Sequence, residues 1–305
     1  MSIPMTRPIN RVRILALDID GTTIRPDGTV SKRVQQAIQT AREAGVQVVL
    51  CTGRAFHTGV GPLASSIGLT VAREGEAEPQ AIVNNGGASV DLRTEHVRWE
   101  RLIPEGHVGN LLEAIVGVGA TPLVEQAPSD GGKMFTWADH VAHPAAKLFA
   151  HAWMRIDDIV AVGPEVLAHV AVRTGWMGAC GDYLTTQRAH EALVRLAGSH
   201  PEFDVFWSAD WLAAGDPNHV AGVRPLGVNK SHGLATFAAE FGTDLSACVA
   251  IGDEMNDFEM LRDVGFGIAM GQAPDSLKSV AKAITSSNTE DGVAEAIARW
   301  VLPFA

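Results

Sequence analysis

The chain has 305 residues, 24 Lys+Arg against 35 Asp+Glu for a formal net charge of −11, 46% hydrophobic residues and 19% charged ones. This composition excludes a disordered or fibrous chain and gives enough length for one large domain or two ordinary ones. An acidic chain without a basic block argues against a nucleic-acid partner, but a local positive site could still hold a phosphorylated small molecule.

In chain order, the first apolar run is Ile14-Leu15-Ala16-Leu17, which ends at Asp18. A helix is expected from Ser31, a side chain suited to N-capping, to Ala44, with Gly45 as its stop. A second apolar run, Val46 to Cys51, ends at Thr52-Gly53-Arg54. A helix over Ala55 to Ile67 follows, and then Ala81-Ile82-Val83 runs into Asn84-Asn85-Gly86-Gly87. Consecutive apolar positions suit strands buried on both faces, and strands alternating with helices suit a parallel sheet.

From Ala88 the pattern changes. A hairpin is expected to Leu102, a helix over Pro104–Val118, strands near Val170–Arg173 and Asp204–Trp207, and a helix around Ala189–Leu196, which is α+β patterning. The βαβ rhythm returns after Val223. It gives a helix over Ser231–Phe241, the run Cys248–Ile251 ending at Gly252-Asp253, a helix over Phe258–Leu261, a strand over Gly265–Met270, and helices around Asp275–Ala281 and Glu290–Trp300. The expected fold is α/β: a doubly wound, Rossmann-like parallel-sheet core in two segments, residues 1–87 and 208–305, split by an inserted α+β cap of residues 88–207.

Cys51, Cys180 and Cys248 are odd in number and far apart, so they form neither a disulfide framework nor a CxxC zinc knuckle. The opening MSIPMTRPINRVR has no apolar segment, and no apolar run reaches the ~18 residues of a membrane span. The expectation is a cytoplasmic protein without a membrane or nucleic-acid partner.

Asp18, Thr52 and Asp253 each follow a buried-type strand, and the carboxyl ends of parallel strands share one edge where ligands bind. Asp20 lies two residues after Asp18, and Gly21 allows a sharp turn that brings backbone N–H groups to an anion. Carboxylates gathered at that edge repel one another, and a hard divalent cation offsets the repulsion. Mg²⁺ takes oxygen ligands, and Asp18, Asp253 and the Asp20 carbonyl would suffice. Asp18 could then attack phosphorus to form an aspartyl-phosphate, with Asp20 as acid and then base. Thr52, the Gly53 N–H and Lys230, which opens another helix, could neutralise the phosphoryl oxygens.

Asp18-Ile19-Asp20-Gly21-Thr22, Thr52-Gly53-Arg54, Lys230 and Gly252-Asp253-Glu254-Met255-Asn256-Asp257 resemble, in this order, the four signature motifs of the haloacid dehalogenase superfamily. The layout is similar to its Cof-type branch, whose phosphatases carry a large α/β cap between the second and third motifs. Met270-Gly271-Gln272-Ala273 and Ser287–Val293 also resemble that branch. The resemblance implies a Mg²⁺-dependent phosphatase for a small phosphorylated metabolite, such as a sugar phosphate or phosphorylated cofactor. It implies Asp18 as nucleophile, Asp20 as acid/base, Thr52 and Lys230 as phosphate ligands, and Asp18, Asp20 and Asp253 as metal ligands. Asn256 and Asp257 would orient Lys230 or the metal's waters, and Asn85 and Arg54 join this supporting set. Gln272 replaces the Asn usual after Met-Gly, and the Asn84–Gly87 turn carries an extra Gly; both bear on substrate contacts.

Two alternatives stay open: a phosphotransferase or phosphomutase using the same aspartyl-phosphate, and a phospho-Asp regulatory module, against which Asp20 argues. Gly59–Ala64 mimics a dinucleotide fingerprint but is expected within a helix and not after a strand. His140, His143 and His151 read as loop histidines, and Trp137, Trp153 and Trp176 as packing of the insert. Residues 88–207 are expected to act as a lid that reads the leaving group, with Glu125, Lys133, Asp139 and Asp182 as candidates for selectivity.

Overall fold

The structure is a computed structural model and describes residues 11–73, 76, 78–137, 159–170, 173–207 and 219–305. The chain divides into two units, one formed by residues 1–53, 59–98 and 229–305, the other by 54–58 and 99–228.

The first unit starts with β1 (Ile14–Leu17), whose four side chains are all buried. The Ser31 hydroxyl accepts from the Val34 N–H at 3.1 Å and starts α1 (Lys32–Glu43), which buries Val34, Ile38 and Ala41 on one face and stops before Gly45 at φ +86°. β2 (Gln47–Cys51), α2 (Val60–Ser66), β3 (Gln80–Val83), β4 (Ala88–Asp91) and β5 (Val97–Glu100) follow. After the second unit come α6 (Lys230–Glu240), β12 (Cys248–Gly252), α7 (Phe258–Asp263), β13 (Phe266–Ala269), α8 (Asp275–Lys278), β14 (Ala283–Ile284) and α9 (Gly292–Ala296); α9 continues into a wider turn over Ile297–Val301.

The first sheet has the order β14-β13-β12-β1-β2-β3-β4-β5. Pairing is parallel from β14 to β3 and antiparallel between β3 and β4. β1 lies between β12 and β2, with Leu17 in register with both Ile251 and Leu50. That register brings Asp18, Thr52 and Asp253 to adjacent positions at one sheet edge, as the apolar runs imply. The doubly wound α/β core is therefore present.

The second unit contains α3 (Glu105–Gly117), β6 (Thr121–Gln126), β7 (Met134–Trp137), β8 (Ile159–Val162), α4 (Pro164–Val170), β9 (Thr174–Cys180), α5 (Tyr183–Ala197), β10 (Phe203–Trp207) and β11 (Val220–Pro225). Its mostly antiparallel sheet has the order β10-β11-β9-β6-β7-β8. Leu111 and Ile115 of α3 and Ala189 and Leu193 of α5 pack with Val124, Met177, Ala179, Ala221 and Val223 in one core. No described helix is long and apolar enough to cross a membrane.

Several elements differ from the sequence reading. The helix expected from Ala55 starts at Val60, because Gly59 takes a left-handed φ of +96° at its N-cap. Gly59 therefore sits at a helix start, preceded by a turn and not by a strand. The strand expected over Val170–Arg173 is displaced to Thr174–Cys180, since Val170 closes α4. The two units part near residues 98 and 229, whereas the patterning places the breaks near 87 and 208. Ala88–Asp91 extends the first sheet on β3, and Val220–Pro225 pairs with β9 and β10 in the second.

Candidate active site

The edge above β1, β2 and β12 gathers acids around one ammonium. Lys230, at the first position of α6, is fully buried. Its Nζ donates to Asp18 Oδ1 and to Asp257 Oδ1, each at 2.6 Å. Asp257 Oδ2 accepts from the N–H groups of Asp253 and Glu254, at 3.0 and 3.2 Å. Both Asp257 oxygens are thus engaged, and the turn after β12 is tied to the lysine. Gly252 permits this fold-back, because a Cβ there would collide with the Asp257 carboxylate.

Lys230 is placed by the start of its helix. Asn229 caps α6 by accepting from the His232 N–H at 2.8 Å. This end of the helix rests on the turn Asn84–Gly86, whose residues have φ of +54°, +52° and +89°. A side chain on Gly86 would meet the Asn229 carbonyl, and one on Gly233 would come within 2.7 Å of the Gly86 Cα. Glycine at 86 therefore satisfies both a left-handed backbone and a close approach.

Asp18 is buried at the end of β1, with its N–H donating to the Ile251 carbonyl at 3.0 Å. Asp20 is exposed on the turn that follows. Gly21 has φ +73°, and a Cβ there would run into the Asp253 carboxylate, so the turn lies directly against that acid. Asp253 Oδ1 accepts from the Thr22 hydroxyl at 2.9 Å, and Oδ2 from Gln272 Nε2 at 3.4 Å. Gln272 Nε2 also donates to the Gly21 carbonyl at 2.5 Å, while its Oε1 accepts from the Asn288 N–H at 3.2 Å. Thr52 is buried, with its N–H on the Ile82 carbonyl and its own carbonyl accepting from the Asn85 N–H at 3.0 Å. Asn256 Nδ2 donates to Asn85 Oδ1 at 3.0 Å, and a Cβ at Gly53 would press on both asparagine side chains.

Asp18, Asp20, Gly21, Thr52, Gly53, Asn85, Lys230, Asp253, Asn256 and Asp257 thus all belong to the first unit and to this one edge. Arg54 lies in the segment 54–58 that groups with the second unit, and its Nη1 donates to the Thr58 carbonyl at 3.3 Å. Thr52 does not cap a helix, because the next one starts at Val60. What sequence reasoning missed is that Thr22, quoted in a motif without a role, and Gln272, read as bearing on substrate contacts, both hold the Asp253 carboxylate. The position of Gln272 after Met-Gly was the available signal.

In the second unit, Glu125 is buried, Lys133 is exposed, and Asp182 caps α5 by accepting from the Thr185 N–H at 2.7 Å. Trp137 packs on the helix-side core and Trp176 on the opposite sheet face. Asp139, His140, His143, His151 and Trp153 lie outside the described residues.

Electrostatically, the edge is loaded with negative charge. Burial pushes the Asp18 carboxyl up against the pull of Lys230, with Asp257 and Asp253 adding to the rise. Lys230 moves up despite its burial, because the two carboxylates hold its proton. Burial, then Asp257, raises Asp253 from 3.8 to about 7, with Thr22 opposing. Carboxylate oxygens of Asp18, Asp253 and Asp257 lie within 4.8 Å of one another. With both Asp257 oxygens committed to Lys230 and the backbone, the carboxylates left for a hard cation are Asp18, through the oxygen not held by Lys230, and Asp253. The donors are all oxygen, as Mg²⁺ requires.

The raised Asp253 has a stability consequence. Its folded pKa lies above its unfolded one, so the folded protein loses stability as pH rises from about 4 to about 7. Asp253→Asn removes that loss. In chelator at pH 7.5, the variant should melt a few degrees above wild type, and the gap should close below pH 4. Thermal melts across pH check this; a variant less stable than wild type at pH 7.5 contradicts it.

The model of the haloacid dehalogenase-like hydrolases matches residues 15–128 and 212–297. The chain is 26% identical over 95% of its length to the 5-amino-6-(5-phospho-D-ribitylamino)uracil phosphatase YcsE of Bacillus subtilis, of which it covers 96%. It is 25% identical over 93% of its length to the pyridoxal phosphate phosphatase YbhA of Escherichia coli, of which it covers 97%. Its fold superposes with a TM-score of 0.74 on a haloacid dehalogenase-like hydrolase from Bacteroides thetaiotaomicron, at 25% identity, with coverage of 95% of this chain and 99% of that one. With its motif residues gathered at one sheet edge and the family model matching both segments of the core, the chain belongs to the haloacid dehalogenase-like hydrolases.

Proposed function

We propose that this hydrolase is a Mg²⁺-dependent phosphatase that releases phosphate from a small phosphorylated metabolite through an aspartyl-phosphate on Asp18. The observation that carries the reading is the buried Lys230 held 2.6 Å from Asp18, beside the Asp253 carboxylate. A carboxylate fixed at a strand end by an ammonium is aimed and cannot rotate away, which is what an attacking group needs. The relatives named above act on phosphorylated small molecules, which supports the same class of substrate.

Asp18, Asp253 and the main-chain carbonyl of Asp20 would hold Mg²⁺, which supplies charge neutralisation at the phosphoryl oxygens. Lys230 and the Thr52 and Gly53 groups add to it from the protein side. Asp20, exposed and two residues from the nucleophile, would give a proton to the leaving oxygen and later take one from water. A second carboxylate of this kind favours hydrolysis over storage of the phosphoryl group, against a regulatory phospho-Asp module. Transfer to a second hydroxyl, as in a mutase, would appear as product without free phosphate.

The second unit would act as a lid and read the leaving group. Glu125, on the same sheet face as Trp176, is buried and raised by burial to about 8. Glu125→Gln and Trp176→Ala are expected to reorder kcat/KM among phosphate esters by tenfold or more, on the scale of about 1.4 kcal/mol per decade. An unchanged ranking would remove selectivity from this face.

Asp18→Asn should lower kcat by about three orders of magnitude or more while leaving the melting curve cooperative. Turnover near wild type would end the nucleophile assignment. Chelation should stop phosphate release and added Mg²⁺ should restore it; phosphate assays in excess chelator that run at full rate would take the metal out of the reaction.

A further inference from the structure

The second unit carries a cluster that the hydrolytic reaction does not use. His107 lies in the first turn of α3, and His200 and Glu202 lie in the connection from α5 to β10. One ligand atom from each, two imidazole nitrogens and a carboxylate oxygen, fall within 4.8 Å of one another. His107 Nε2 is 3.7 Å from Glu202 Oε1, and the two imidazole rings have centroids 4.4 Å apart. The buried ring of Phe203 supports both, with centroids 5.6 Å from His107 and 6.3 Å from His200.

No hydrogen bond joins any of these three side chains to another described residue. The three polar ligand atoms therefore converge with no hydrogen bond among them, and His107 and Glu202, at 3.7 Å, stand at ion-pair distance. Zinc bonds of 2.0–2.2 Å in tetrahedral geometry put ligand atoms about 3.4 Å apart, so a shift of about an ångström completes the shell. The turn after α5 is short and anchored: the His200 N–H donates to the Ala197 carbonyl at 3.1 Å, and the Glu202 carbonyl accepts from the Leu226 N–H at 2.9 Å. The ligands thus come from packed elements.

We propose that His107, His200 and Glu202 form a second metal site, selective for Zn²⁺ or a similar borderline transition ion, with water at the remaining position. Two imidazoles and one carboxylate favour such ions over Mg²⁺, whereas the all-oxygen edge around Asp18 and Asp253 has the opposite preference. The ion joins the start of α3 to the α5–β10 connection. Those segments are distant in the chain, so binding stabilises the folded second unit over the unfolded chain.

Titration of the full-length protein with Zn²⁺, and separately with Co²⁺, in millimolar Mg²⁺ tests the site. Wild type and Asp253→Asn should each bind one equivalent of Zn²⁺ and give the visible bands of four-coordinate Co²⁺. His107→Ala and His200→Gln should each weaken binding by about tenfold or more and lose those bands. Zn²⁺ should raise the melting temperature of wild type but not of His200→Gln. Equal Zn²⁺ affinity in wild type and both histidine variants, or a single equivalent that disappears in Asp253→Asn, overturns the proposal.

Discussion

One ammonium group, fully enclosed, organises this site. Lys230 carries its charge into the protein interior only because two carboxylates meet it at 2.6 Å. Removing one partner of such a buried pair costs about 3–5 kcal/mol, since it leaves an uncompensated charge. The three groups come from three separate segments: the end of β1, the start of α6 and the turn after β12. The ion contact therefore sets where those segments lie relative to one another, and the glycines at 86, 233 and 252 are the clearances that allow it.

The same contact leaves the edge unbalanced. Asp257 is neutralised by Lys230 and by two backbone N–H groups, but among the described residues Asp253 meets the dipoles of Thr22 and Gln272 and no cation. Burial raises Asp253 to about 7, and it pushes Glu254 up as well. A protein selected for stability alone would not place this acid here. Its persistence beside Asp18 is the kind of local cost that functional sites carry.

The fold of the first unit was legible because its strands are buried on both faces. Ile14–Leu17 and Cys248–Gly252 are continuous apolar runs, so their polar ends stood out, and parallel pairing did the rest. The second unit was harder to read. β6 contains Pro122, and β9 contains Gly175 and Gly178, so neither has a run of β-branched residues; their burial comes from neighbours. β11 belongs to the second sheet although it precedes the core's third motif directly, and only pairing with β9 and β10 shows this. The reach of Gln272 to the Gly21 carbonyl was illegible for a different reason: the two residues are 251 positions apart, and no local pattern links them.

Asp18 and Asp20 are two residues apart yet occupy opposite environments, and this contrast supports their separate roles in the proposed reaction. Asp18 is buried and its Oδ1 is held by Lys230, which leaves the other oxygen directed by a fixed carboxyl plane. Asp20 lies beyond the strand, exposed, where a side chain can approach the leaving group and then water. Between Asp20 and Thr22 stands Gly21, whose left-handed backbone turns the chain against Asp253. A residue with a side chain at 21 would displace that acid, so the turn that separates Asp18 from Asp20 also sets the place of Asp253. Asp18, Asp20 and Asp253, the nucleophile, acid/base and cation ligand of the proposed reaction, are therefore positioned by one local conformation and cannot be moved independently.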